Sequence, residues 1–194
     1  MRPLSAAALA KRLRAVKLVL FDIDGVLTDG LVYHMVDSGG TLIEFKGINA
    51  QDSIGVAWLA ESGLKTGCIS GRNSAGMHKR LEMLKVSYIH QGRLDKRVVF
   101  DQICREADVS PAQVLYVGDD IPDIPVLTAV GVAAAPANAR PEVKGHAHWV
   151  TKARCGEGAM REIAETVLKA QGHWKAVLTK FAPSHQDEAR RSAQ

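Results

Sequence analysis

The stretch KLVLFDIDGVLTDG, residues 17–30, carries two messages in succession. Its first five residues form a short, almost wholly apolar run, as expected of a strand buried on both faces of a parallel sheet. The run stops on Asp22, and Asp24 and Gly25 follow at once. Similar apolar runs recur at 64–69, 86–89, 114–117, 130–134 and 147–150. Between them, apolar residues return at helical spacing: Ile54, Ala57 and Trp58; Met77, Leu81 and Leu84; Val99, Ile103 and Ala107. Strand, helix, strand alternation predicts an α/β fold, a Rossmann-like parallel sheet with helices on both faces and right-handed crossovers. One segment breaks the alternation. Residues 31–35 and 41–46 read as two strands joined through Asp37, Ser38, Gly39 and Gly40, a β-hairpin projecting after the first strand. The chain thus divides into an N-terminal helix (1–16), a main domain (17–172, hairpin 31–46), and a C-terminal helix with a polar tail expected to be disordered from Pro183 (173–194).

With 194 residues, 46% hydrophobic and 24% charged, the chain is long enough for one substantial core. Its net charge of +4 is a property of its ends: residues 1–17 hold five basic and no acidic residues, and 169–194 hold five against two. Residues 18–168 carry 15 basic against 19 acidic residues, which is not the footprint of a nucleic-acid binder. Cys68, Cys104 and Cys155 form no CxxC pair, so neither a disulfide framework nor a zinc site is expected, and a reducing cytoplasm fits. No run approaches the length of a membrane span, and the Ala-rich start is interrupted by Lys11 and Arg12, unlike a signal peptide.

In open parallel sheets, ligands bind beyond the carboxyl ends of the strands. The residues there are Asp22-Ile23-Asp24-Gly25, Ser70-Gly71-Arg72, Lys96 and Gly118-Asp119-Asp120 with Asp123. So many carboxylates cannot all stay ionised unless cations neutralise them, and an all-oxygen set suits Mg²⁺ better than zinc. A serine hydroxyl and a lysine ammonium then supply a donor and a positive charge for a phosphoryl group.

These motifs, DIDGVLTDG, SGR, Lys96 and GDDIPD, resemble in their order the haloacid dehalogenase superfamily of phosphatases. From about Val16 to Gly172 the pattern is similar to its capless branch, the 3-deoxy-D-manno-octulosonate 8-phosphate phosphatases. VLTDG, the hairpin, EFKGINAQD, HQG and GEGAMRE carry that likeness. The resemblance implies Asp22 as the nucleophile that forms an aspartyl phosphate, and Asp24 as the general acid and base. It implies Asp22, Asp24 and Asp119 as Mg²⁺ ligands, with Asp120 and Asp123 around them. Ser70 and Lys96 would bind phosphate, and Arg72 and Arg80 the sugar acid's carboxylate. It also implies a homotetramer assembled partly through hairpins, with the stretch around 156–161 helping to close a neighbour's site. The implied reaction releases 3-deoxy-D-manno-octulosonate for lipopolysaccharide biosynthesis. The alternative substrate is 2-keto-3-deoxynononate 9-phosphate or a related nonulosonate phosphate. Three features depart from the branch: Ser53 where glycine is usual, a longer hairpin turn, and Glu157 where many relatives carry arginine.

Taken alone, DxDG could open a calcium loop, but an EF-hand starting at Asp22 needs an acid at its twelfth position, which is Tyr33. A receiver-type signalling domain shares the carboxylates, hydroxyl and lysine around Mg²⁺. It places its paired acids after the first strand and its phosphoacceptor after the third, unlike this order. A catalytically silent oligomerisation module on the same fold is the remaining alternative, since fold alone does not guarantee activity.

Overall fold

The computed structural model describes residues 3–182, so the tail expected to be disordered from Pro183 lies outside the described residues. Six parallel strands make the main sheet: β1 (Leu18–Phe21), β4 (Lys65–Ile69), β5 (Tyr88–His90), β6 (Val114–Val117), β7 (Val132–Ala135) and β8 (Trp149–Val150). Their order is β5-β4-β1-β6-β7-β8. The chain leaves β1 towards β4 on one side and returns to β6 on the other, so the strand order reverses at β1. The crevice at such a reversal lies beyond the carboxyl end of that strand, where Asp22 follows Phe21.

The period of two along the strands splits the core cleanly. Val19 and Phe21 of β1, with Leu115 and Val117 of β6, face one side; Leu18, Leu20, Val114 and Tyr116 face the other. The first face is covered by α1 (Ala6–Leu13), α2 (Ala50–Glu61), α3 (Ala75–Met83), α7 (Ala159–Ala170) and α8 (Trp174–Lys180). The second is covered by α4 (Lys96–Ala107), α5 (Ile124–Leu127) and α6 (Pro141–Lys144). All four residues of β1 are buried, and at ~1.5–3 kcal/mol per buried large apolar side chain they anchor both layers. Both terminal helices pack on this body: Leu13 is fully buried, and Trp174 meets Trp58 edge-on at 5.6 Å. The three cysteines are free and buried, and among the described residues no helix is long and apolar enough to cross a membrane.

The hairpin is β2 (Tyr33–Val36) paired antiparallel with β3 (Leu42–Phe45), each strand slightly shorter than its sequence pattern. Asp37 shapes the turn, its Oδ1 accepting hydrogen bonds from the N–H groups of Gly39 and Thr41, both at 2.8 Å. The two short helices α5 and α6 carry no legible period in the sequence, because four residues make barely one turn.

Candidate active site at the carboxyl edge of the sheet

The backbone of Asp22 still belongs to the sheet, its N–H donating to the Val117 carbonyl at 3.0 Å. Its carboxylate then turns back to accept the Ile23 N–H at 2.7 Å, which opens a single loose helical turn over Ile23–Leu27. Gly25 sits in that turn at φ +86°, and a methyl group there would collide with the carboxylate of Asp119. Glycine is therefore required twice over, by its backbone angle and by the approach of the acid. Ser70 follows β4 and is buried; its N–H donates to the His90 carbonyl and its Oγ accepts the Arg72 N–H. Lys96 is the first residue of α4, whose preceding Asp95 side chain accepts the Val98 N–H.

These strand ends converge. Lys96 Nζ lies 3.0 Å from Asp22 Oδ2 and 2.7 Å from Asp123 Oδ1, with Lys96 and Asp123 both buried. Asp123 is fully committed to the protein: Oδ1 also accepts the buried Tyr116 hydroxyl at 2.6 Å, and Oδ2 accepts the N–H groups of Asp119 and Asp120. One carboxylate oxygen each from Asp22, Asp119 and Asp123 fall within 4.8 Å of one another. Asp119 Oδ1 is buried and has no hydrogen-bond partner among the described residues.

The electrostatics follow. Burial, the largest influence, pushes Asp22 up from 3.8 to about 7 against the pull of Lys96. Burial and the neighbouring Asp22 push Asp119 up to about 8. Burial works against the Lys96 ammonium, but Asp22 and Asp123 outweigh it and raise its pKa. One lysine thus does not neutralise the cluster, and a further cation is needed to keep Asp22 and Asp119 ionised near neutral pH. An orphaned carboxylate oxygen beside a second acid, with oxygen donors alone, fits a hard divalent ion. Asp123 has no oxygen to spare for it, so its place is to hold Lys96 and the Asp119 loop.

A cavity of about 420 Å³ opens over the cluster, lined by Asp22, Asp24, Ser70, Arg72, Lys96, Asp119, Asp120 and Asp123 together with Leu94 and Pro122. Asp120 caps the turn over Ile121–Asp123 through the Ile121 N–H. Arg72 reaches the mouth half-exposed and pairs with Glu44 of the hairpin at 3.4 Å. Arg80, on α3, does not line this cavity. Of the departures, Ser53 is buried on α2, whereas Glu157 is exposed, 3.6 Å from Arg154.

Three contributors have no role assigned by the sequence patterns, although Lys46 and Asp52 fall within EFKGINAQD. Lys46, directly after β3, contacts Asp24 at 2.8 Å. Tyr116 sits inside an apolar strand, where only its hydroxyl could have betrayed a polar duty. Asp52 on α2 is buried, and its two oxygens accept the N–H groups of Gly158 and Arg161, fixing the glycine loop before α7. Asn49 holds the same loop through the Gly156 carbonyl. An acid in a helix's first turn reads as an ordinary capping residue, so its long-range partners were not legible.

A family profile for haloacid dehalogenase-like hydrolases matches residues 85–163. The 3-deoxy-D-manno-octulosonate 8-phosphate phosphatase of Escherichia coli strain K12 is 35% identical over 170 residues, covering 88% of this chain and 88% of the relative. The solved structure of the Yersinia pestis 3-deoxy-D-manno-octulosonate 8-phosphate phosphatase superposes with a TM-score of 0.83 at 33% identity, over 88% of this chain and 90% of that one. That of the Moraxella catarrhalis phosphatase, in complex with magnesium, phosphate and KDO, gives 0.86 at 30% identity, over 92% and 100%. The chain therefore belongs to the haloacid dehalogenase-like hydrolases, in the family of the 3-deoxy-D-manno-octulosonate 8-phosphate phosphatases.

Proposed function

We propose that this phosphomonoesterase hydrolyses 3-deoxy-D-manno-octulosonate 8-phosphate to the free sugar acid and phosphate, in the cytoplasm and for lipopolysaccharide synthesis, with residues 17–172 as the catalytic unit. The observation that carries the reading is the pairing of Asp22 with buried Lys96 beside the orphaned Asp119 oxygen, with Arg72 at the mouth of the same cavity. The named phosphatases at 35% identity, and the magnesium, phosphate and sugar-acid complex of the Moraxella relative, support it.

Asp22 attacks phosphorus through a carboxylate oxygen, forming an aspartyl phosphate and breaking the bond to the sugar oxygen. Lys96 and the Ser70 hydroxyl hold the equatorial phosphoryl oxygens, and Asp123 keeps Lys96 aimed. Asp24 gives a proton to the departing sugar oxygen and afterwards takes one from the water that hydrolyses the aspartyl phosphate. Mg²⁺, the cofactor, would be held by the carboxylates of Asp22 and Asp119 and the backbone carbonyl of Asp24, where it neutralises the acids and polarises the phosphoryl group. Arg72 takes the carboxylate of the sugar acid as a planar two-pronged donor; Arg80 is not among the residues lining this cavity.

That second copy is part of the reading. We infer a homotetramer that joins its hairpins and closes each cavity with a neighbour's loop around 156–161. The hairpin exposes Tyr33, Met35, Ile43 and Phe45 by 40–51%, and these four share one face by register. An isolated two-stranded ribbon with an apolar face is marginal in water.

The deciding experiment is kcat/KM for eight-carbon and nine-carbon sugar-acid phosphates with Mg²⁺. The eight-carbon substrate should win; a nine-carbon preference would defeat the substrate assignment while leaving the reaction in place.

A further inference from the structure

Lys46 directly follows β3, and continuing the two-residue period from Glu44 puts it on the same side of the ribbon. That side faces the cavity, because Glu44 reaches Arg72 at its mouth. Although it follows an exposed hairpin, the Lys46 side chain is only 1% exposed. Its ammonium donates a hydrogen bond to Asp24 Oδ2 at 2.9 Å and lies 2.8 Å from Oδ1 as an ion pair. On its other side it lies 3.2 Å from Glu44 Oε1. The second Glu44 oxygen carries Arg72 at 3.4 Å and His34 at 3.6 Å. A lysine that merely anchored the hairpin could have stayed in water, as surface lysines do. A desolvated ammonium between two acids is costly unless its partners are fixed, and equally it fixes them.

We propose that Lys46 is the positioning residue of Asp24: the hairpin, through the Glu44–Lys46 pair, sets the place from which Asp24 serves the departing oxygen. This rests on the role given to Asp24 above. Proton delivery falls steeply with misplacement of the donor, and it matters when the leaving group is a poor one such as a sugar alkoxide. An aryl oxide leaves without it. A structural lysine, in contrast, would affect all substrates alike.

The test compares a sugar or simple alkyl phosphate with an aryl phosphate on the Mg²⁺-loaded full chain. Lys46→Met should lower kcat for the alkyl substrate by about tenfold or more and for the aryl substrate by less than about threefold, with Lys46→Arg restoring most of the loss. In an Asp24→Asn background the same Lys46→Met change should cost nothing further on the alkyl substrate, because the two act as one unit. Glu44→Gln should shift the alkyl-to-aryl ratio in the same direction by a smaller factor, and it keeps the idea testable if Lys46→Met does not fold. Equal losses on both substrates, or additive losses with Asp24→Asn, would overturn the role of Lys46. If Asp24→Asn itself spared the alkyl substrate, the role of Asp24 would fall instead.

Discussion

The carboxyl edge of the main sheet and the projecting hairpin handle exposure in opposite ways. At the sheet edge, Asp22, Lys96 and Asp123 are buried and tied to one another, and Asp123 has four protein partners. On the hairpin, every residue from Tyr33 to Val36 is exposed, and among the described residues no element covers the apolar face of Tyr33, Met35, Ile43 and Phe45, although Tyr33 and Phe45 stack at 5.3 Å. The difference separates two tasks. Phosphoryl chemistry needs groups fixed to a fraction of an ångström, and the buried ion pairs of Asp22, Lys96 and Asp123 meet that need within one chain. On the function proposed here, substrate selection is assigned to half-exposed Arg72 and to the ribbon with its exposed apolar face.

Asp22→Asn removes the proposed nucleophile from the buried end. We expect kcat on any phosphomonoester to drop about 10³-fold or more, with the melting temperature held within a few degrees because Lys96 keeps Asp123. Retained turnover would remove Asp22 as the nucleophile.

Arg72→Glu addresses the selecting end. Its pairing with Glu44 is exposed and contributes at most about 1 kcal/mol to stability, so folding should be unaffected. The ratio of eight-carbon to nine-carbon kcat/KM should fall by about tenfold, and an unmoved ratio would take Arg72 out of carboxylate recognition.

Metal removal gives a smaller, thermodynamic effect. Without a cation, Asp22 and Asp119 have pKa values raised from 3.8 to about 7 and about 8. A carboxyl with a raised folded-state pKa favours folding while protonated, and that contribution is lost as pH climbs through the folded-state value. The melting temperature in EDTA should therefore fall by several degrees between about pH 5 and pH 8.5, and saturating Mg²⁺ should raise it more at pH 8 than at pH 6. Calorimetry across that range checks the sign; a melting temperature in EDTA that rose with pH would contradict the crowding of these acids.

Much of the sheet edge was legible because its signals are local. Short apolar runs, those at β1 and β4 ending directly on Asp22 and Ser70, marked the six strands, and the switch-point rule gathered the polar residues beyond them into one site. The hairpin was legible from Gly39-Gly40 and flanking apolar residues. Lys46 was not, since a lysine beside a turn is normally solvated and only tertiary packing brings it against Asp24. Tyr116 hid in a strand whose neighbours are all apolar, and Asp52 looked like a local cap although its partners lie more than 100 residues on. Arg80, carried over with Arg72, lies on α3 (Ala75–Met83) and is not among the residues that line the cavity.

The division between a complete chemical end and an unfinished selecting end is tested most directly on Met35→Glu/Ile43→Glu. Both substitutions fall on the apolar hairpin face, opposite Glu44, and neither residue lines the cavity. The measurement is the ratio of kcat/KM for 3-deoxy-D-manno-octulosonate 8-phosphate to that for an aryl phosphate, with light scattering reporting the mass. We predict a monomer whose aryl phosphatase activity stays within about threefold while the ratio falls by about tenfold or more. A monomer with the ratio unchanged, or with both activities lost together, would contradict that division.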